Sequence, residues 1–241
     1  MYREKIGIVG GFGAYATLNF YQRILESFAS DSERNYPHII MDNNFTMPSR
    51  TRALLYDECY DEVVQGIADS LRMLSEQGAD RMILVCGTAH YFLDDVYKII
   101  PQVQQKVMDM IHILGEELRE SGRKEALVIA AEGALLKELY PKRLANYQIC
   151  CESPSQAHYE KIRYFIESVK RNQMTRKTAW EFFGFLEEFK AKNVILGCTE
   201  FPVLVKYVSG VLEGSVLTEW NQYQFWDPLE TTIDRLKRTL S

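Results

Sequence analysis

Residues 83–90 read ILVCGTAH, and residues 195–202 read ILGCTEFP. Both run an apolar strand of the form I-L-x-C into a threonine and then into a helix start. Short, nearly all-apolar strands of this kind belong to parallel sheets covered on both faces. Cys86 and Cys198 stand about one small α/β lobe apart along the chain. Each is thereby placed at the carboxyl end of a parallel strand, where open α/β sheets hold their ligands. The repeat predicts two pseudo-twofold-related lobes, each turning one thiol toward a shared cleft.

The rest of the chain fits that frame. Strand-length apolar runs lie at 5–10, 38–42, 81–86, 126–131 and 193–197, with weaker ones at 105–110, 147–151 and 223–226. Helical periodicity covers 14–29, where Leu18, Tyr21, Ile24, Leu25 and Phe28 share a face. It also covers 52–77, with Val63, Val64, Ile67, Leu71 and Leu74, and then 155–170 and 178–191. Alternation of this kind gives an α/β class with two flavodoxin-like lobes, parallel sheets and an interlobe active-site cleft. No Pro/Gly/Ser-rich linker divides the halves, so the lobes are tightly joined. The first lobe is read as 1–105 with 212–241, a C-terminal helix at 229–240 returning to it; the second is 106–211. The aromatic stretch EWNQYQFWDP (219–228) fits core, cleft and interface equally.

Composition excludes several functions. A net charge of −5 with short, acid-flanked basic stretches argues against nucleic-acid binding, which needs clustered Lys and Arg. No 18-residue apolar run is present for a membrane span, and MYREKIGIVGG lacks a signal-peptide core. The five cysteines are odd in number and form no C-x-x-C pair, so neither a disulfide framework nor a zinc knuckle is indicated. The histidines at 38, 90, 112 and 158 lack metal-ligand spacing, and no metal is expected. Free thiols point to a reducing cytoplasm.

Two motifs remain to be weighed. GIVGGFGAYAT (7–17), with Asp42 ending a later apolar run, satisfies the loose G-x-G-x-x-G/A pattern of dinucleotide sites. That reading explains neither cysteine motif nor the loop Pro48-Ser49-Arg50-Thr51. Two facing thiols, one ionised and one protonated, can take a proton from carbon and return one on the opposite face. Strand-end, helix-start positions favour this, because backbone N–H groups and the helix dipole stabilise a thiolate or a carboxylate. Cys59, Cys150 and Cys151 lack such contexts and read as small apolar residues.

These residues together resemble the cofactor-independent aspartate/glutamate racemases, in particular the aspartate racemase branch. The resemblance spans nearly the whole chain: GIVGGFGAYAT is similar to the family's first glycine turn, DNNFTMPSRT (42–51) to its Asn-rich loop, CGTAH (86–90) and GCTE (197–200) to its two cysteine motifs. It implies that Cys86 and Cys198 are the acid/base pair and that no cofactor is used. It further implies that Thr88, Thr199 and Asn43 hold the substrate's α-carboxylate and amine, with Phe12 and Gly87 lining the site. Arg50 and Lys170 take a side-chain carboxylate, and His90 and Glu200 support the thiols. The implied substrate is an acidic amino acid, and the implied assembly is a homodimer.

The chain also departs from that pattern. Gly87 stands where Asn is usual, which removes an amide and adds backbone freedom. Ala131-Glu132-Gly133-Ala134 replaces Thr-x-Gly-Thr, losing two hydroxyls and gaining a carboxylate. Ala14 replaces Pro, and Ser49 replaces Asp. Related proton-transfer enzymes on this fold, of hydantoin racemase, maleate isomerase or arylmalonate decarboxylase type, stay open as alternatives. So does an amino-acid-binding homologue of low activity.

Overall fold

The computed structural model describes residues 3–29 and 32–240. Its strands are β1 (Lys5–Gly10), β2 (His38–Asn43), β3 (Arg81–Leu84), β4 (Glu125–Ile129), β5 (Cys150–Glu152), β6 (Asn193–Leu196) and β7 (Gln224–Trp226). The α-helices are α1 (Ala14–Ser27), α2 (Arg50–Tyr56), α3 (Tyr60–Glu76), α4 (Leu93–Ile99), α5 (Met110–Glu120) and α6 (Glu132–Leu136). They continue with α7 (Leu139–Leu144), α8 (Tyr159–Lys170), α9 (Arg176–Glu187), α10 (Phe201–Ser209), α11 (Gly214–Trp220) and α12 (Pro228–Leu240).

The internal repeat is carried into topology. One sheet has the order β2-β1-β3 and the other β5-β4-β6-β7, and every pairing is parallel. Beyond β3, Val107 makes a single parallel bridge to Met82. The weak strand read at 105–110 is reduced to that contact, in the place that β7 fills in the second sheet. Strand order thus repeats, and Cys86 and Cys198 follow equivalent strands.

One core joins the halves. Ile6, Ile8 and Ile83 of the first sheet, with Val85 just after β3, belong to the same buried cluster as the strands and helices of the second. Val9, Met82 and Leu84 face a smaller cluster made with α3 and α4. Across the cleft, α2 packs on α6 at Gly133, where a Cβ would lie 3.2 Å from Thr51 Cα and 3.1 Å from Leu54 Cβ.

Three expectations need correction. The continuous helix at 52–77 is two helices, because Asp57 and Cys59 take left-handed backbone angles (φ 57° and 53°) and break the ladder between α2 and α3. On α1 the buried stripe is Ala16, Thr17, Phe20 and Ile24, continued by Phe28, whereas Leu18 is 61% exposed. Residues 224–226 lie on the second sheet rather than with the first lobe. The open edge of β6 pairs with β7, and Trp220 packs its ring against Phe182 and Phe183 of α9. The helix read at 229–240 is α12, which spans both halves: Asp227 at its start pairs with Arg23 of α1 at 2.8 Å, and Arg235 reaches Glu116 of α5 at 2.7 Å. Among the described residues no helix is long and apolar enough to cross a membrane.

The β1–α1 turn shows why the sequence needs glycine there. Gly11 has φ +82°, and a Cβ on it would come within 2.2 Å of the Asn44 carbonyl oxygen. Strain of this kind costs about 1–3 kcal/mol before any clash is counted. Gly11→Ala is expected to lower stability by at least about 2 kcal/mol. A shift of the urea midpoint at constant m-value measures it, and an unshifted midpoint would contradict the geometry.

Candidate active site

Four turns at the carboxyl ends of central strands converge on one cavity of about 460 Å³. They are Phe12 after β1, Cys86–Thr88 after β3, Ala131–Glu132 after β4 and Gly197–Glu200 after β6. Helix α2 supplies Arg50, Thr51, Arg52, Leu55 and Tyr56 on one wall, and α8 supplies Arg163, Ile166, Glu167 and Lys170 on another. Such a site joins the switch-point crevices of two α/β sheets.

Both thiols open on this cavity and are half-buried. The Cys198 thiol donates to Glu200 Oε2 at 2.9 Å, and the Thr199 hydroxyl donates to the same oxygen at 3.3 Å. Burial, and then the charge and hydrogen bond of Glu200, push the Cys198 thiol well above the ordinary thiol range. Cys198 therefore carries its proton at neutral pH. Glu200 is itself buried and sits against Gly13, where a Cβ would be 3.1 Å from Oε1.

His90 supports the first thiol through the backbone. Its Nδ1–H donates to the Cys86 carbonyl at 3.0 Å, and its Nε2 accepts from the Met110 N–H at 3.4 Å. The partners fix the tautomer, and complete burial lowers the pKa, so the ring stays neutral. Arg143, paired with Asp109, donates to the His90 carbonyl at 2.8 Å and anchors the same turn. His90 is thus a brace of the Cys86 turn and does not line the cavity.

Arg50 lies differently from its neighbours. It donates to the carbonyls of Pro48 (2.7 Å), Phe12 (2.8 Å) and Met47 (3.4 Å), and its guanidinium sits over the Phe12 ring at 4.9 Å. Its buried Nε has no partner. All these acceptors are neutral. Arg52 instead pairs with Glu58, Lys170 with Glu167 at 3.5 Å, and Arg163 makes a two-pronged pair with Glu132, both contacts 3.0 Å. Among the cavity's cations, Arg50 is the one that no described carboxylate pairs with.

Of the residues singled out from the sequence, Phe12, Arg50, Cys86, Gly87, Thr88, Lys170, Cys198, Thr199 and Glu200 line the cavity. Asn43 does not: it ends β2 on an exposed position, its amide oxygen turned toward Gly10. The glycine turn spends its polar groups on the protein, with Gly11 N–H donating to Thr17 Oγ1 at 3.4 Å and Phe12 C=O accepting from Arg50. Gly87 uses no special backbone freedom, since its φ is −58°. Sequence reading missed Arg163, although Arg163, Ile166, Glu167 and Lys170 stand at the i, i+3, i+4, i+7 spacing of one helix face. The carboxylate gained at Glu132 comes with its own partner in Arg163.

Comparison with known proteins agrees with the resemblance read from the sequence. Residues 9–220 match the family model described as Asp/Glu/hydantoin racemase. In sequence the chain is 22% identical over 213 residues to the broad specificity amino-acid racemase RacX of Bacillus subtilis, covering 84% of this chain and 88% of that protein. Its fold superposes on Picrophilus torridus aspartate racemase with TM-score 0.78 and 22% identity, over 98% of this chain and 94% of that one. Glutamate racemase from Francisella tularensis, solved with D-glutamate, gives TM-score 0.69 at 14% identity, over 98% and 80% of the two chains.

The Glu200 contact makes a direct prediction. Glu200→Gln removes the negative charge that favours the neutral thiol, so the thiolate fraction of Cys198 rises at a given pH. Iodoacetamide should then alkylate Cys198 about threefold faster or more at pH 8, followed by peptide mass spectrometry. An unchanged or slower rate would contradict the assignment.

Proposed function

We propose a reaction for a chain that belongs to the Asp/Glu/hydantoin racemase family: inversion of the α-carbon of an acidic amino acid, aspartate or glutamate, by two thiols. The observation that carries the reading is that Cys86 and Cys198, on equivalent strand ends, open on one cavity. Burial and the Glu200 carboxylate keep the proton on Cys198, and Cys86 is the base in the direction in which Cys198 supplies the proton. Cys86 removes the α-proton, and the Cys198 thiol delivers its own to the opposite face of the planar carbanion. The reverse reaction exchanges the two roles.

Charge in the cavity supports the acidic substrate. Arg50 supplies a positive charge without an ionic partner, in a guanidinium suited to a carboxylate. Lys170, on the facing helix, supplies the second cation for a second carboxylate, exchanging its contact with Glu167 for one with substrate. Thr88, Thr199 and the N–H groups of the two thiol turns orient the amino acid. The reaction runs without pyridoxal phosphate or metal, in a homodimer, points that rest on the family resemblance; a cytoplasmic setting rests on the free thiols.

In D₂O, with no cofactor added, the α-proton signal of both enantiomers of aspartate, or of both enantiomers of glutamate, should disappear by NMR. Cys86→Ala and Cys198→Ala should each slow that loss by about 10²–10⁴-fold. Silence with all four acids, from folded protein with reduced thiols, would sink the substrate assignment. Full activity in either alanine variant would sink the two-thiol mechanism.

A further inference from the structure

Tyr140, on α7, is completely buried and lies against both thiol turns. Its hydroxyl donates to the Gly197 carbonyl at 3.2 Å. A Cβ on Gly87 would lie 2.5 Å from that hydroxyl and 2.6 Å from the Gly197 carbonyl oxygen. A Cβ on Gly197 would lie 2.8 Å from Cε2 of the same ring. One aromatic ring therefore fills the side-chain space of the residue after Cys86 and of the residue before Cys198. Gly87 is required for room, since its backbone angles suit any residue. Burial holds the phenol well above its ordinary pKa, which keeps it a donor at working pH.

We propose that Tyr140 is a positioning residue, wedged between the two thiol turns, that sets the separation of Cys86 and Cys198. The proposal rests on the two-thiol reading above. Delivery of a proton to one face of a carbon after removal from the other needs both groups at fixed reach, and a displacement of about 1 Å can cost about 10²-fold in rate. The thiols sit on different sheets, so backbone contact between their turns, rather than side-chain rotamer, governs that reach. Tyr140 closes the contact from one side, and the absent side chain of Gly87 closes it from the other.

Tyr140→Phe keeps the ring and removes the hydrogen bond to Gly197. Loss of one such bond corresponds to about fivefold in rate, so kcat for α-proton exchange should fall about fivefold or more, with KM unchanged within about twofold. Gly87→Ala should lower kcat as well, and in the double variant the two losses should not multiply, because both act on one contact. An independent arm needs no catalysis. Alkylation of Cys86 and Cys198 in Tyr140→Phe should change by about threefold or more, while the exposed Cys59 and Cys150 react as in the wild type. Wild-type kcat in Tyr140→Phe, multiplying losses, or unchanged alkylation at both cavity thiols would overturn the proposal. If the wild-type protein exchanged no α-proton, the racemase reading would fail by itself, and the alkylation arm would still decide whether Tyr140 holds the turns.

Discussion

The site depends on a constraint of parallel sheets. A parallel strand must end in a turn that leads to a crossover helix, and that turn leaves backbone N–H groups and one side chain facing outward at the strand's carboxyl end. Here the constraint operates twice. The orders β2-β1-β3 and β5-β4-β6-β7 put equivalent turns after β3 and β6, and both turns line a single cavity. A shared hydrophobic core that includes Ile6, Ile8, Val128 and Ile195 keeps the two halves in one arrangement. Side chains held this way are set by the fold rather than by flexible loops.

Electrostatics then sets the protonation of one of the thiols. Burial disfavours the charged form of Cys198, and the buried carboxylate to which it donates disfavours it further. The contact of Cys86 with a titratable neighbour is indirect, since His90 binds its carbonyl and stays neutral. Around them the cavity's charges are mostly cancelled in pairs: Arg163 with Glu132, Lys170 with Glu167, Arg52 with Glu58. A buried carboxylate such as Glu132 without Arg163 would be costly, so the pair is best viewed as a wall of the cavity. Arg50, bound only to carbonyls, keeps its charge available.

The repeat of I-L-x-C was enough to read two parallel sheets and the strand ends that carry Cys86 and Cys198, because strand burial and turn position are written in local sequence. Positions set by long-range contact were not legible. The periodicity of 52–77 runs through Asp57 and Cys59, so the left-handed break between α2 and α3 leaves no gap in the apolar pattern. Asn43 belongs to a loop that resembles a binding loop, yet its strand ends with the side chain outside the cavity. Gly87 reads in sequence as a missing amide, whereas its reason is the hydroxyl of Tyr140, supplied from a helix of the other half. Glu132 reads as an intrusive charge until Arg163 of α8 is seen to meet it.

The central claim is that one thiol takes the α-proton and the other supplies a different one. Early in the reaction of a single enantiomer in D₂O, this chemistry puts deuterium into the product enantiomer while the remaining substrate keeps its proton. Chiral chromatography with mass detection, at a few per cent conversion, reads both pools at once. Label confined to the product is the result the two-thiol arrangement predicts. Equal label in substrate and product would mean that a single base exchanges its proton and works on both faces, and would contradict it.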